Sequence, residues 1–589
     1  MIVKPGRTEL ASALAPCRSA FVGTALMSGL VNLLYLTGSF FMLEVYDRVI
    51  PSRSVPTLVG LMVLALVLYG FQGALETLRA RILARLGASL DESLSGRVFD
   101  LVVRAPLKGS FPGDGLLPLR DLDQVRGFLA GAGPSAFFDL PWIPIYVAVC
   151  FLFHPLIGVA ALAGAAVLAL LTLVTDRMTR EPAKDATGYG QRRNGLAEAG
   201  RRNAEVLAAL GMQGRLSARW ATANRAYLDA HQKMTDAAGG FGAVSRVFRM
   251  ALQSGVLALG AWLVIRDQAT AGVIIASSIL VSRALAPAEL AIANWKGFLQ
   301  ARQAWGRLED LFARIPEQGQ PHALPAPTRE LSVEGISIAP PGSMRVVVQD
   351  LSLVLKAGQA LGVIGPSASG KSSLVRALVG VWPPGRGKVR LDGAALDQWS
   401  SAALGSHLGY LPQEVELFAG TIAENIGRFE PEPDATAVIA AAKSAGAHEL
   451  ILRLPEGYGT RIGEGGAGLS AGQRQRIGLA RALFRDPFLV VLDEPNANLD
   501  NEGDAALTQA ILGVRRRGGI CVVVAHRPPA LAAVDLILMM ADGRAQAFGP
   551  KDEVFRRVLK PAPAPSPKED GERRAAPTSP PPLTLREIA

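Results

Sequence analysis

QALGVIGPSASGKSSLVRALVG, residues 359–380, decides the fold of the half of the chain that contains it. Its first part is a short apolar run, which predicts a buried strand. Its last part, SSLVRALVG, has helical spacing. Between them lies G-x-x-x-x-G-K-S at 365–372, so the order is strand, glycine-rich loop, helix. That order makes a phosphate-binding loop. The backbone N–H groups of Gly365, Ser367, Ala368, Ser369 and Gly370, in a loop that also contains Pro366, can wrap a phosphate closely. The helix N-terminus, with Ser373 in its first turn, adds partial positive charge. Lys371 is placed for the β- and γ-phosphates of a nucleotide, and the Ser372 hydroxyl for Mg2+.

Further along, FLVVLDEP (488–495) reads as an apolar strand ending in two carboxylates. Asp493 at the strand end can hold Mg2+ directly or through water. Glu494 is then placed to polarise an attacking water. CVVVAHRP (521–528) is another strand, ending in His526, which at the C-terminal edge of such a sheet can contact the γ-phosphate. Gln413, in YLPQEVELF, follows a further short strand and can reach both metal and water. LSAGQRQR (469–476) is of another kind. It offers a hydroxyl, amides and guanidinium groups but no acid, base or thiol.

Working back toward the N-terminus, the composition changes. The chain of 589 residues is 49% apolar, with a mean hydropathy of +0.26 and a formal charge of +10. Apolar runs at 21–45, 56–75, 137–153, 155–174, 251–265 and 271–290 predict six membrane spans, given the roughly 20 apolar residues a span needs. The turns YDRVIPSRS, FHP and RDQAT pair the spans. The two long intervening segments are rich in arginine, which puts them and both termini on the cytoplasmic side. Much of the net charge is thereby accounted for without nucleic acid, and none is expected as a partner. ETLRARILARLGASLDESLSGRVFDLVVR repeats its aliphatic residues at helical spacing. Spans two to five are therefore expected to continue as long helices into the cytoplasm. The first run is too long, and too closely followed by others, for a signal peptide. Cys17, Cys150 and Cys521 have no metal or disulfide spacing and read as packing residues.

Phosphate loop, glutamine, LSAGQ, LDE and histidine, in that order, resemble the nucleotide-binding domain of ATP-binding cassette (ABC) proteins. The resemblance implies that the signature serves a second copy. Ser470, Ala471, Gly472 and Gln473 would cap the γ-phosphate held on the partner's loop, and Asp500 would make a dimer contact. One loop and one signature per chain then require a homodimer holding two ATP molecules. Catalysis falls to Glu494 and His526, ATP binding to residues 365–373 and Gln413, and Mg2+ to Ser372, Gln413 and Asp493. Two departures stand out. Ala471 replaces a glycine that is usual in the family. The region EGISIAPPGSMRVVV lacks the aromatic ring on which the family stacks adenine, leaving Pro340, Arg345 or another surface as the substitute.

The fold class implied is an α-helical six-span transmembrane domain of ABC exporter type followed by an α/β P-loop NTPase domain. The expected boundaries are a cytoplasmic segment at 1–20, the membrane domain at 21–316, a linker at 317–330, the cassette at 331–560 and a disordered proline-rich tail at 561–589. FMLEVYDRVIPSRSVPTL, FFDLPWIPIYVAVCFLFHPLIG and SRALAPAELAIANWKGFLQARQAW look like the type I secretion permease/ATPases, in particular the branch exporting alkaline proteases. That resemblance implies a bacterial inner-membrane protein in the lipid bilayer. It would work with a periplasmic adaptor and an outer-membrane channel, on protein cargo carrying a C-terminal signal. No peptidase-like domain is expected before the first span. The turn with Asp47, Arg48 and Arg53 reads equally as an adaptor contact or as a solvated hairpin. An exporter of lipid or small molecules shares the same framework, and a catalytically inactive membrane scaffold is the reading from a different class.

Overall fold

The apolar run at 56–75 belongs to a helix that does not end with it. In the computed structural model, which describes residues 5–109, 115–316, 324–525 and 528–559, this helix runs unbroken from Val55 to Lys108. Its first turns expose Leu58, Val59, Met62, Val63 and Leu66. So apolar a surface fits lipid as its solvent, because a helix satisfies its own backbone polar groups there. Further along, the burial becomes one-sided. Leu83, Leu86, Leu90, Leu94, Val98, Leu101 and Ala105 are buried at spacings of three and four. From Leu90 to Ala105 this stripe packs on Leu122, Val125, Ala304, Leu308 and Phe312 of the helices Leu117–Ala130 and Trp295–Arg314.

Two compact units make up the chain, Met1–Gly319 and Gln320–Ala589. In the first, six helical stretches among the described residues are long and apolar enough to cross a membrane: Arg18–Ser52, Val55–Lys108, Gly133–Phe153, Pro155–Arg202, Gln213–Ile265 and Ala271–Ala293. The fourth and fifth, with 48 and 53 residues, are single helices roughly 70–80 Å long. The third corrects the expectation of a continuous arm. Gly131 is extended, with ψ −171°, so Leu117–Ala130 is separate from the helix that begins at Gly133. Pro134, Pro141 and Pro144 stand at the starts of the three short helical pieces that make up the third span, where their missing backbone donors are tolerated.

The first turn is also shorter than the sequence suggests. Residues 45–52 are helical, the stretch Val45–Val49 as a π turn, and the chain reverses at Arg53 in the left-handed region (φ 52°). Asp47, itself exposed, reaches the start of the sixth span, accepting hydrogen bonds from Thr270 Oγ1 at 2.6 Å and Gly272 N at 2.8 Å. It thereby caps the start of that helix. Deeper in the unit, Arg79 donates to Asp139 at 2.9 Å and to Ser28 Oγ at 3.0 Å. Asn32 donates to the same carboxylate at 2.8 Å, so one cluster joins the first three spans.

In the second unit, strand Ala360–Ile364 lies in a sheet in which Leu536–Ala541, Ala360–Ile364, Ile520–Val524, Leu489–Asp493 and Leu408–Leu411 are parallel neighbours in that order. Arg544–Pro550 adds an antiparallel edge. Leu361, Val363, Val491 and Val522 on one face pack against helix Lys371–Leu378 and an antiparallel sheet that includes Glu330–Ile338 and Val348–Lys356. On the other face, Ala360, Val490, Leu492, Cys521 and Val523 join a core shared with helices Ala435–Ser444, Ala471–Leu483 and Asn501–Arg516. Near-continuous apolar strands are the result of burial on both faces. All three cysteines are buried and none is in a disulfide.

Candidate active site

The C-terminal ends of these parallel strands converge on one place. After Ile364 the chain turns through the phosphate loop, leaving Pro366, Ser367 and Ala368 exposed while Ser369 and Lys371 are buried. Gly370 has φ 96°, and a Cβ there would stand 2.7 Å from the Val347 carbonyl, so only glycine fits. Lys371 Nζ donates to the carbonyls of Gly365 at 2.9 Å and Pro366 at 2.8 Å. Burial pulls its ammonium below the ordinary lysine range, and Glu494 and Asp493 partly oppose that.

Strand Leu489–Asp493, one strand removed across Ile520–Val524, delivers Asp493, 3% exposed, beside Ser372, whose hydroxyl donates to its carboxylate. Burial raises the Asp493 carboxyl above the usual range, Ser372 pulls it back, and Glu494 raises it further. Asp493 Oδ1 is buried with no hydrogen-bond partner, as are Ser369 Oγ and Asn496 Nδ2. A hydroxyl, a carboxylate with an unfilled oxygen and the Gln413 amide form a hard-oxygen donor set of the kind Mg2+ takes. Glu494 is half-buried with φ 49°, and Gln413 Nε2 lies 3.4 Å from its Oε2. A cavity of about 660 Å³, lined by Arg376, Tyr410, Gln413, Phe418, Arg428 and Asp493 among others, opens beside them.

The structure therefore brings the phosphate loop, Ser372, Asp493, Glu494 and Gln413 together. His526 lies outside the described residues. The signature is occupied elsewhere: Ser470 N-caps helix Ala471–Leu483, its Oγ accepting from Gln473 N at 3.2 Å, while Ser470 N donates to Gln473 Oε1 at 2.8 Å. Ala471 is the first helical residue, where alanine is at no disadvantage. Ser470 and Ala471 are exposed. Asp500 caps helix Asn501–Arg516 through Gly503 N at 2.8 Å.

The loop where an adenine-stacking ring would be sought passes beside the phosphate loop, through Val347. Its exposed apolar side chains are Met344 and Val346, and Arg345 is exposed as well. Sequence reasoning missed Asn496, since an asparagine after a strand end carries no motif of its own. It also assigned nothing to Arg376, whose side chain bonds Tyr410 at the cavity.

Residues 348–497 match the family model described as ABC transporter, and residues 22–285 the one described as ABC transporter transmembrane region. The type I secretion system ATP-binding protein PrsD of Rhizobium meliloti (strain 1021) is 60% identical over 562 residues, covering 95% of this chain and 97% of that protein. The cyclolysin secretion/processing ATP-binding protein CyaB of Bordetella pertussis is 29% identical over 537 residues, covering 90% and 75%. The structure of a bacterial Atm1-family ABC exporter with ATP bound has the same fold, with a TM-score of 0.79 at 23% identity over 92% of this chain and 97% of that one. With a nucleotide loop, a carboxylate pair at a strand end and six membrane-crossing helices in one chain, this protein belongs to the ABC transporter family, among the ATP-hydrolysing type I secretion system ATP-binding proteins.

Proposed function

We propose that this chain is the inner-membrane motor of a type I secretion system, moving an unfolded protein with a C-terminal signal out of the cytoplasm. The reading is supported chiefly by the 60% identity to a type I secretion ATP-binding protein across nearly the full length of both chains. It works as a homodimer with a periplasmic adaptor and an outer-membrane channel. The cassette lies in the cytoplasm and the membrane domain takes residues 21–316, with 331–560 as the cassette.

Two copies close around two ATP molecules. Lys371 and the loop amides of 365–373 hold the phosphates, and the partner's signature, residues 470–473, caps the γ-phosphate. Ser372, Asp493 and Gln413 would hold Mg2+, which when bound neutralises charge on the β- and γ-oxygens. Glu494 accepts a proton from the attacking water and His526 holds the γ-phosphate end. Asp500 contributes at the dimer contact. The long helices carry the closure to the spans, and hydrolysis reopens them.

A comparative secretome tests the reading. In a strain lacking the gene, wild-type protein returns specific proteins to the culture medium and Lys371→Ala does not. A medium unchanged by the deletion, under conditions where cargo is expressed, refutes protein export and favours lipid or small-molecule transport.

A further inference from the structure

The capping pair and the trans contact use only the first part of LSAGQRQR, leaving three long polar side chains. Arg474 turns back on its own helix, donating to the Leu469 carbonyl at 3.0 Å. The next two reach across to another loop. Gln475, 2% exposed, donates from Nε2 to the Pro495 carbonyl at 3.0 Å, and Pro495 directly follows Glu494. Arg476, 8% exposed, donates from Nη2 to Asp500 Oδ1 at 2.6 Å and from Nη1 to the Gly446 carbonyl at 3.3 Å. One helix thus grips both ends of the loop 495–500. A third contact lies between them: a Cβ on Gly472 would stand 3.0 Å from the Asn498 carbonyl. Elsewhere on the helix, a Cβ on Gly478 would come 2.6 Å from Val415, two residues past the Gln413 that lies against Glu494.

The loop needs such a grip. Glu494 has φ 49°, a conformation that costs a residue with a side chain on the order of 1–3 kcal/mol. It persists only where the surroundings over-determine it. Backbone bonds supply part of this, Glu494 N to Val524 O at 3.0 Å and Ala497 N to Glu494 O at 3.2 Å. The Gln475 and Arg476 bonds supply the link to a different element, the helix that bears the signature.

We propose that Gln475 and Arg476 are positioning residues that tie the signature helix to the Glu494 loop of the same chain. Seating the signature on the second copy's nucleotide then sets Glu494 for hydrolysis of this copy's own. The proposal rests on the reading that the signature acts in trans. Its consequence is that the two ATP sites turn over cooperatively.

The test uses the full-length protein in lipid nanodiscs, with steady-state ATPase measured against ATP concentration. Gln475→Ala loses the bond to Pro495. Arg476→Lys keeps the charge and loses the fork that reaches Asp500 and Gly446 together. Each is expected to lower kcat on the order of tenfold to a hundredfold, the effect of a small misplacement at a reacting centre, with the half-saturating ATP concentration unchanged. The sigmoidal response of the wild type should flatten to a Hill coefficient of one. Adding Asp500→Asn to Arg476→Lys should cost little more than either alone. Folded variants with wild-type kcat and Hill coefficient overturn the proposal, as do a raised half-saturation at unchanged kcat and a wild type that is itself non-cooperative. A separate measurement isolates the underlying reading. Glu494→Gln protein is expected to trap an ATP-bound dimer. Failure to trap one overturns the trans reading and this proposal with it, whereas a trapped dimer with unaffected Gln475→Ala and Arg476→Lys kinetics overturns this proposal alone.

Discussion

The two units differ in how they hold their buried carboxylates. In the membrane unit the buried charges are paired within the unit. Arg79 meets Asp139, Ser28 and Asn32 share that cluster, and Arg307 meets Asp121 through two bonds of 2.6 and 2.9 Å. In the cassette, the buried Asp493 keeps Oδ1 without a hydrogen-bond partner, and Ser369 Oγ and Asn496 Nδ2 nearby in the phosphate loop and after the strand end are unpartnered too; the other such buried atoms among the described residues, on Ser39, Ser245, Trp399 and Asp504, are scattered. An unsatisfied buried group costs about 1–3 kcal/mol. A fold retains several in one place when a ligand completes them. The closed carboxylate sets join elements of the fold, and the open one at Asp493 lies in the candidate site.

The largest effects should therefore come from substitutions that abolish activity and spare the fold. Glu494→Gln or Lys371→Ala is expected to lower ATP turnover by on the order of 10²–10⁴. The thermal midpoint of the purified protein should stay close to wild type. Lys371 is held below its ordinary range by burial, so removing its charge relieves a cost as well as losing two bonds to loop carbonyls. A collapse of stability in Lys371→Ala would break the comparison, because the open site would then be structural.

The converse holds for Arg79 and Asp139. Replacing either one with leucine leaves a buried charge without its partner, a loss of about 3–5 kcal/mol. Replacing both removes the pair and should recover much of that loss. The yield of folded protein and its thermal midpoint report this directly. If Arg79→Leu kept full stability and lost only transport, the cluster would belong to the working machinery.

Legibility in the sequence divides along the same line. The phosphate loop, Asp493, Glu494 and Gln413 are readable because each needs a residue type at a fixed place on a strand end or loop, and the apolar runs locate the spans. The break at Gly131 is not readable, since a helical pattern on either side hides one extended glycine and only the prolines at 134, 141 and 144 hint at it. The partners of Asp47, Asp139 and Gln475 are also out of reach. They are separated from them by 223, 60 and 20 positions along the chain, and periodicity carries no information about such pairs. Motifs announce groups that meet a ligand. Groups that meet each other must be seen in three dimensions.

Asp392 provides the smallest effect and a control inside the cassette itself, because it is a carboxylate with a closed set of partners. Its oxygens accept from Thr328 N at 2.7 Å, Arg329 N at 3.0 Å and Glu330 N at 2.8 Å, pinning the chain where it enters the strand that begins at Glu330. Burial alone would raise its carboxyl, but these three donors outweigh burial and hold it below the usual aspartate range. A depressed folded-state value means that the stabilisation is fully present above the unfolded aspartate value, and is lost as pH falls through the folded one. Asp392→Asn should therefore cost about 1 kcal/mol near neutral pH, the loss of charge on a partly exposed acceptor. ATP affinity should not change. Thermal midpoints measured over a falling pH series should converge below the usual aspartate range, where the wild-type side chain becomes neutral as well. A gap that persisted there would assign the effect to shape, and would remove charge pairing as the feature that distinguishes this closed set from the open one at Asp493.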